Sequence, residues 1–112
     1  MTPWLKATIG GERWGYYLVA PKSRHLIAED GKRLTGRCDY NKCRIYLSRD
    51  LYNDAFLNAF FHETVHAFLF VTGADQIYQG DVHKDELLVC ALAPALLRFL
   101  LDIGAALPTR TT

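Results

Sequence analysis

The chain has 112 residues, half of them hydrophobic, and a formal net charge of +1 from thirteen Lys and Arg against twelve Asp and Glu. That length predicts one domain with a core of its own and leaves no room for a second. The balanced charge argues against a nucleic-acid-binding protein, and the composition is that of a globular chain rather than a disordered one.

The opening MTPWLKATIGGERWGYY lacks the basic start and apolar stretch of a secretory signal. Lys6 to Ile9 reads as a strand, Gly10-Gly11 as a turn, and Trp14 to Ala20 as a second strand stopped by Pro21. Arg24 to Ala28 continues as an extended segment or a short helical turn, and Glu29 to Lys32 is a turn candidate. Leu34 to Cys38 and Cys43 to Ser48 flank Asp39-Tyr40-Asn41-Lys42, a connection of hairpin length. In the second of these strands Cys43, Ile45 and Leu47 share one face, and Arg44, Tyr46 and Ser48 share the other. This alternation fits a strand with one side on a core and one facing solvent or a cleft. Cys38 and Cys43 could face each other across the hairpin. With Cys90 they make an odd count, which fits reduced thiols and a cytoplasmic protein.

The rest is helical in pattern. A helix from about Asn53 to Thr72, capped by Ser48 or Asn53 and stopped by Gly73, is apolar on most faces and should be the buried central one. After a loop from Gly73 to Gly80, a second helix starts near Asp81 and runs to about Asp102, with Pro94 expected to kink or split it. Its apolar run, Leu87 to Leu101, is broken by Pro94 and Arg98 and is shorter than the roughly 20 residues that span a bilayer. The tail LPTRTT should fray. Trp4, Trp14, Phe56, Phe60, Phe68 and Phe99 are the expected aromatic core. The sum is a single α+β domain: a small antiparallel sheet of three or four strands from about residues 1–48, packed on two main helices from about residues 53–104.

The central helix contains His62-Glu63-Thr64-Val65-His66 within NAFFHETVHAFLFVTG. Burying such groups unpaired costs roughly 2–7 kcal/mol for a neutral polar group and more for a charge. A metal ion would repay that cost. Residues four apart share a helix face, with Cβ atoms about 6 Å apart, so His62 and His66 can grip one ion. Glu63 lies about 100° around the helix, where a carboxylate can act on a water without being a ligand. Zinc suits imidazole ligands best. A catalytic zinc site normally has three protein ligands. The third should come from His83-Lys84-Asp85-Glu86, where Glu86 and His83 share a face and either could bind while the other assists.

The order of strand CRIYLS, helix NAFFHETVHAFLF, loop and helix HKDELLVCALAPALLRFLLDIG resembles the zincin metallopeptidases whose third ligand is a glutamate. It is similar to very small zincin-like proteins of phages and mobile elements, and more distantly to the ImmA/IrrE-like and SprT-like peptidases. The resemblance spans roughly residues 36–104. It implies His62, His66 and Glu86 as zinc ligands, with His83 as an alternative ligand or a residue supporting one. It implies Glu63 as general base in hydrolysis of a peptide bond, in the cytoplasm of a host cell. It further implies that the strand before the helix borders the cleft and accepts an extended protein or peptide substrate, which here would involve Arg44, Tyr46 and Ser48. His83, Tyr78 and Arg98 are the candidates for a transition-state donor. The alternative is an inert zincin-derived module that keeps its metal for structure and acts by docking on another protein. Contact with DNA through Lys22 to Arg37 is a third reading, and no membrane association is expected.

Overall fold

The structure, a computed structural model, describes residues 1–74 and 82–110, with the side chains of residues 82–85 excepted. The expected loop from 75 to 80, the Asp81 cap, Tyr78, the side chain of His83 and the last two threonines lie outside the described residues. In chain order the elements are β1 (Leu5–Ile9), β2 (Glu12–Val19), a 3-10 turn (Arg24–Leu26), β3 (Gly36–Asp39), β4 (Arg44–Ser48), α1 (Asn53–Val71) and α2 (Val82–Asp102). A four-stranded sheet packs on two helices, so the α+β class, the strand number and the helix number are as the sequence implies. No described helix is long and apolar enough to cross a membrane.

The sheet order is β1-β2-β4-β3. β1 and β2 form an antiparallel hairpin through Gly10 and Gly11, both with positive φ (56° and 87°), as a two-residue turn of matching twist requires. A Cβ on Gly10 would lie 2.5 Å from Val71 Cγ1, so the turn tip also closes against the end of α1. β3 and β4 pair antiparallel, but β2 and β4 pair parallel. The sheet is therefore mixed, which corrects the expectation of an all-antiparallel one. The physical reason is the excursion from Ala20 to Thr35. This segment covers one sheet face, burying Leu26 against Tyr17, Val19 and Tyr46, and starts β3 antiparallel to β2 one place further out, so the whole stretch from Ala20 to Cys43, β3 included, is the long crossover that a parallel pair needs. β3 is then laid down as the outer strand before β4 slots in between β2 and β3.

The other face carries Trp14, Tyr16, Ile45 and Leu47, and these pack on Phe56, Phe60, Val65 and Leu69 of α1 and on Val89 and Ala93 of α2. Trp14, Phe56 and Phe60 are buried and Trp4 is half-buried beside them, as expected. Phe68 and Phe99 are not in the core: each is among the exposed large hydrophobics, at 43% and 58%. Tyr52, not Ser48 or Asn53, occupies the N-cap of α1, without a side-chain cap bond. The backbone N–H of Asn53 instead donates to the carbonyl of Arg110 at 2.9 Å. The tail as far as Arg110 is thus docked rather than frayed: the Arg110 guanidinium also donates to the Arg49 carbonyl at 2.8 Å and lies over the Tyr52 ring. Helix α2 runs as one helix through Pro94 and closes at Gly104 in the left-handed conformation. Cys38 stands opposite Ile45 rather than Cys43, and all three thiols are free.

Phe56 and Phe99 should respond very differently to truncation. Phe56→Ala is expected to cost about 3–5 kcal/mol, and Phe99→Ala about 0.5 kcal/mol or less. Urea denaturation of the two variants checks this through the shift in midpoint.

Candidate metal centre

Helix α1 has apolar residues around much of its circumference, so something other than hydrophobicity must fix its rotation. Thr64 does so. Its hydroxyl lies 2.7 Å from the Phe60 carbonyl, one turn back, and 2.7 Å from the phenolic oxygen of Tyr16 on β2. Donation of the single threonine hydrogen to Phe60 leaves Tyr16 as the donor to Thr64. Burial holds the Tyr16 phenol above its ordinary pKa, with the Thr64 bond opposing, so this donor stays protonated. Tyr16 also stacks on Phe60 with ring centroids 4.6 Å apart. With Thr64 and Val65 buried toward the sheet, His62 and His66 emerge together on the flank that meets α2.

There the first turns of α2 supply Glu86. Its Oε1 is 2.9 Å from His62 Nε2 and its Oε2 is 3.0 Å from His66 Nε2. One ligand atom from each of the three residues lies within 4.8 Å of the other two. A tetrahedral zinc with bonds of about 2.0–2.2 Å has ligand–ligand edges of about 3.3–3.6 Å. The two histidine–carboxylate separations are hydrogen-bond contacts a little shorter than that edge, and the 4.8 Å spread of the group is longer, so the donor types suit such an ion and the three side chains could close on one by small shifts. The histidine side chains are 30% and 12% exposed and that of Glu86 is 48% exposed. The group is therefore reachable from solvent on one side.

Glu63 sits beside this triad but is turned toward β3. Its carboxyl is buried, and burial pushes its pKa above the usual carboxylate range; the charge of Glu86 acts in the same sense, while His66, His62 and Cys38 oppose. Two residues of β3 shape its seat. Cys38 Sγ donates to the Glu63 carbonyl at 3.1 Å. Burial and the neighbouring Glu63 charge push the Cys38 thiol far above the ordinary thiol range, which keeps it protonated as this donor. Gly36 is buried, and a Cβ there would fall 2.9 Å from Glu63 Cγ and 3.2 Å from Glu63 Oε2. A glycine is needed for the carboxylate to lie where it does. Beyond it opens a cleft of about 360 Å³ whose walls include Thr35, Gly36, Asn58, His62 and Glu63.

The structure thus brings His62, His66, Glu86 and Glu63 together, and corrects the assignment of the border strand. β4 is interior, with β2 on one side and β3 on the other. Tyr46 and Ser48 are buried at 2% and 4%. Arg44, Tyr46 and Ser48 lie on the face opposite α1, where the His25 ring stacks on Tyr46 at 4.2 Å and Arg44 lies over Tyr17. The strand that borders the cleft is β3. Arg98 is also removed as a transition-state donor, because it lies twelve residues beyond Glu86 on α2, about 18 Å along the axis. Gly36 and Cys38 were missed by sequence reasoning. An isolated glycine inside an expected strand is the signal that marks close approach of another group.

Comparison of the chain with protein-family models, with curated proteins and with solved structures yields no match.

A cation held by these three side chains predicts one zinc per chain after metal-free purification and titration. At zinc about 100-fold above Kd the stabilisation is about 2.7 kcal/mol, so chelation should lower Tm by about 10 °C or more in a domain of this size. Glu86→Gln and His66→Ala should each abolish that difference. Isothermal titration and differential scanning calorimetry together check it.

Proposed function

We propose that the chain is a metal-dependent hydrolase of peptide bonds, with zinc as the fitting ion. The observation that carries this reading is the placement of the Glu63 carboxylate beside the His62–His66–Glu86 group and over Gly36 at the mouth of a cleft. A merely structural site would have no use for a second, buried carboxylate at its margin.

His62, His66 and Glu86 would hold the cation. When bound, such an ion supplies Lewis-acid polarisation of a carbonyl and acidifies water. Glu63 would take the proton from the attacking water and deliver it to the departing amine. Burial, which raises the pKa of Glu63, makes it a stronger base than an exposed carboxylate, in the direction that exchange needs. Gly36 would keep its side of the cleft free of a side chain, so that the Glu63 carboxylate keeps its place.

A peptide as substrate is supported by the hydrogen-bond register of β3. The Ser48 N–H donates to the Thr35 carbonyl at 2.9 Å. In an antiparallel ladder the direction alternates residue by residue. Thr35, Arg37 and Asp39 therefore turn their backbone groups toward β4, and Gly36 and Cys38 turn theirs outward. β3 is the outer strand of the sheet among the described residues. An extended peptide can add to that edge as a further strand, with its backbone beside Gly36 and Glu63.

Glu63→Gln is expected to reduce cleavage of a fluorogenic denatured-protein substrate by about 10²–10⁴-fold, the range of general-base contributions, while zinc affinity changes less than about threefold. Gly36→Ala should retain zinc in the same way and lower kcat by tenfold or more, because the new methyl group displaces the carboxylate. Wild-type protein that carries zinc 1:1 yet cleaves nothing would overturn the proposal. It would favour instead the alternative of a metal-stabilised module that acts by docking.

A further inference from the structure

The outer edge of β3 does not end at the candidate centre. One residue beyond Gly36 it enters a second, larger cleft of about 680 Å³, whose walls include Arg24, His25, Arg37, Lys42 and Tyr46, with Asp39 as its one acidic residue among the described ones. The two clefts take up consecutive residues of one strand: Gly36 lines the first, and Arg37 and Cys38 line the second. The outward backbone groups of Gly36 and Cys38 serve one in each. A peptide paired with this edge therefore passes directly from one cleft to the other.

The second cleft is electropositive. Arg24 and Lys42 are exposed, and among the described residues neither is in an ion pair with a carboxylate. Arg37 is held in place by donation from Nη1 to the Ile27 carbonyl at 2.7 Å. The charges of Arg24, Lys42 and Arg44 act together on His25, lowering its pKa after burial has done so, with only Asp39 opposing. The wider charge distribution agrees. Ten of the thirteen Lys and Arg precede position 51, against five of the twelve Asp and Glu.

We infer that the peptide taken by this site carries acidic residues on the N-terminal side of the bond to be cleaved, held by Arg24, Arg37 and Lys42. The inference rests on the reading of the site as a peptide hydrolase. Antiparallel addition, the slightly more stable pairing, runs the N-terminal part of the peptide from Gly36 past Cys38 toward Asp39. Three strand residues cover about 10 Å, so side chains about three positions before the residue opposite Gly36 meet the cationic walls. A nucleic acid would satisfy the cations but not the outward N–H and C=O groups of Gly36 and Cys38, which pair with a peptide backbone. The peptide is therefore the favoured occupant.

The test uses the full chain carrying Glu63→Gln, so that the probe is not consumed. Two fluorescein-labelled decapeptides are compared by anisotropy, one with three glutamates in its N-terminal half and one with glutamines there. The acidic peptide is expected to bind about tenfold tighter or more at 50 mM NaCl. That preference should shrink at 500 mM NaCl, as screening requires. It should vanish when Arg24→Ala and Lys42→Ala, both at exposed positions, are added. Equal affinities, or a preference that survives the added pair, would overturn the inference. So would an oligothymidylate that binds more tightly than the acidic peptide and displaces it. Binding here needs neither hydrolysis nor metal. Acidic-peptide binding by a wild-type protein that cleaves nothing therefore sinks only the hydrolase reading, whereas cleavage without charge preference sinks only this inference.

Discussion

One carboxylate joins the two helices of this protein at their only described ionic contact. Glu86 gives one oxygen to each imidazole of α1. Three polar side chains are thereby withdrawn in part from water at the junction of two largely apolar helices, and each must be satisfied there. Without a metal the arrangement is self-sufficient: two Nε2–H groups meet two carboxylate oxygens. A metal bound there would use the same atoms as ligands, and each Nε2 would give up its hydrogen to it. Such binding would be a competition between a cation and protons for one set of lone pairs. The contact that fixes the start of α2 is also the one that holds His62, His66 and Glu86 together.

That grouping is inherited from the sheet. Tyr16 on β2 sets the rotation of α1 through Thr64, and Cys38 and Gly36 on β3 set the seat of Glu63. The two unspecified positions of HETVH are therefore not interchangeable spacers. Thr64 and Val65 face the core, and a side chain without a hydroxyl at position 64 would leave the buried Tyr16 phenol without its acceptor. Local sequence, helix orientation and the placement of His62, His66 and Glu86 form one chain of dependence, and its first link is a hydrogen bond some distance from those side chains.

Those links differ in how far they could be read in the sequence. The His62–Glu63–His66 spacing is a local property of a helix, so its geometry followed from 3.6 residues per turn. Glu86 was within reach because two sequential helices with a short connection pack side by side. The α+β class followed from the change of period near residue 50. Strand pairing was not legible. Alternation in Cys43 to Ser48 says that the strand has two different faces, but not which strand lies beside it or what covers the second face. Here an irregular segment, Ala20 to Thr35, supplied the cover, and Leu26 and His25 turned an expected solvent face into a second small core. Phe68 and Phe99 failed for a related reason. When apolar residues occur around a whole helix, periodicity cannot say which of them meet a neighbour.

The relocation of the border from β4 to β3 alters the chemistry available to the cleft. Had β4 been the edge, its outward face would have offered Arg44, Tyr46 and Ser48, and the site would have been polar and crowded. With β3 outermost, the strand presents Gly36 at the buried carboxylate and free backbone groups beside it. A strand edge contributes the same donors and acceptors whatever its side chains are, so affinity for an extended chain there does not depend on the ligand's sequence. Selectivity for such a chain would have to come from whatever flanks the edge. In this fold that is a smaller cleft with Glu63 and His62 in its wall at one end and a larger cationic one at the other. The buried carboxylate and the cationic groups are thus set apart along a strand only four residues long, an arrangement in which, on the proposed reading, one would react and the others would choose.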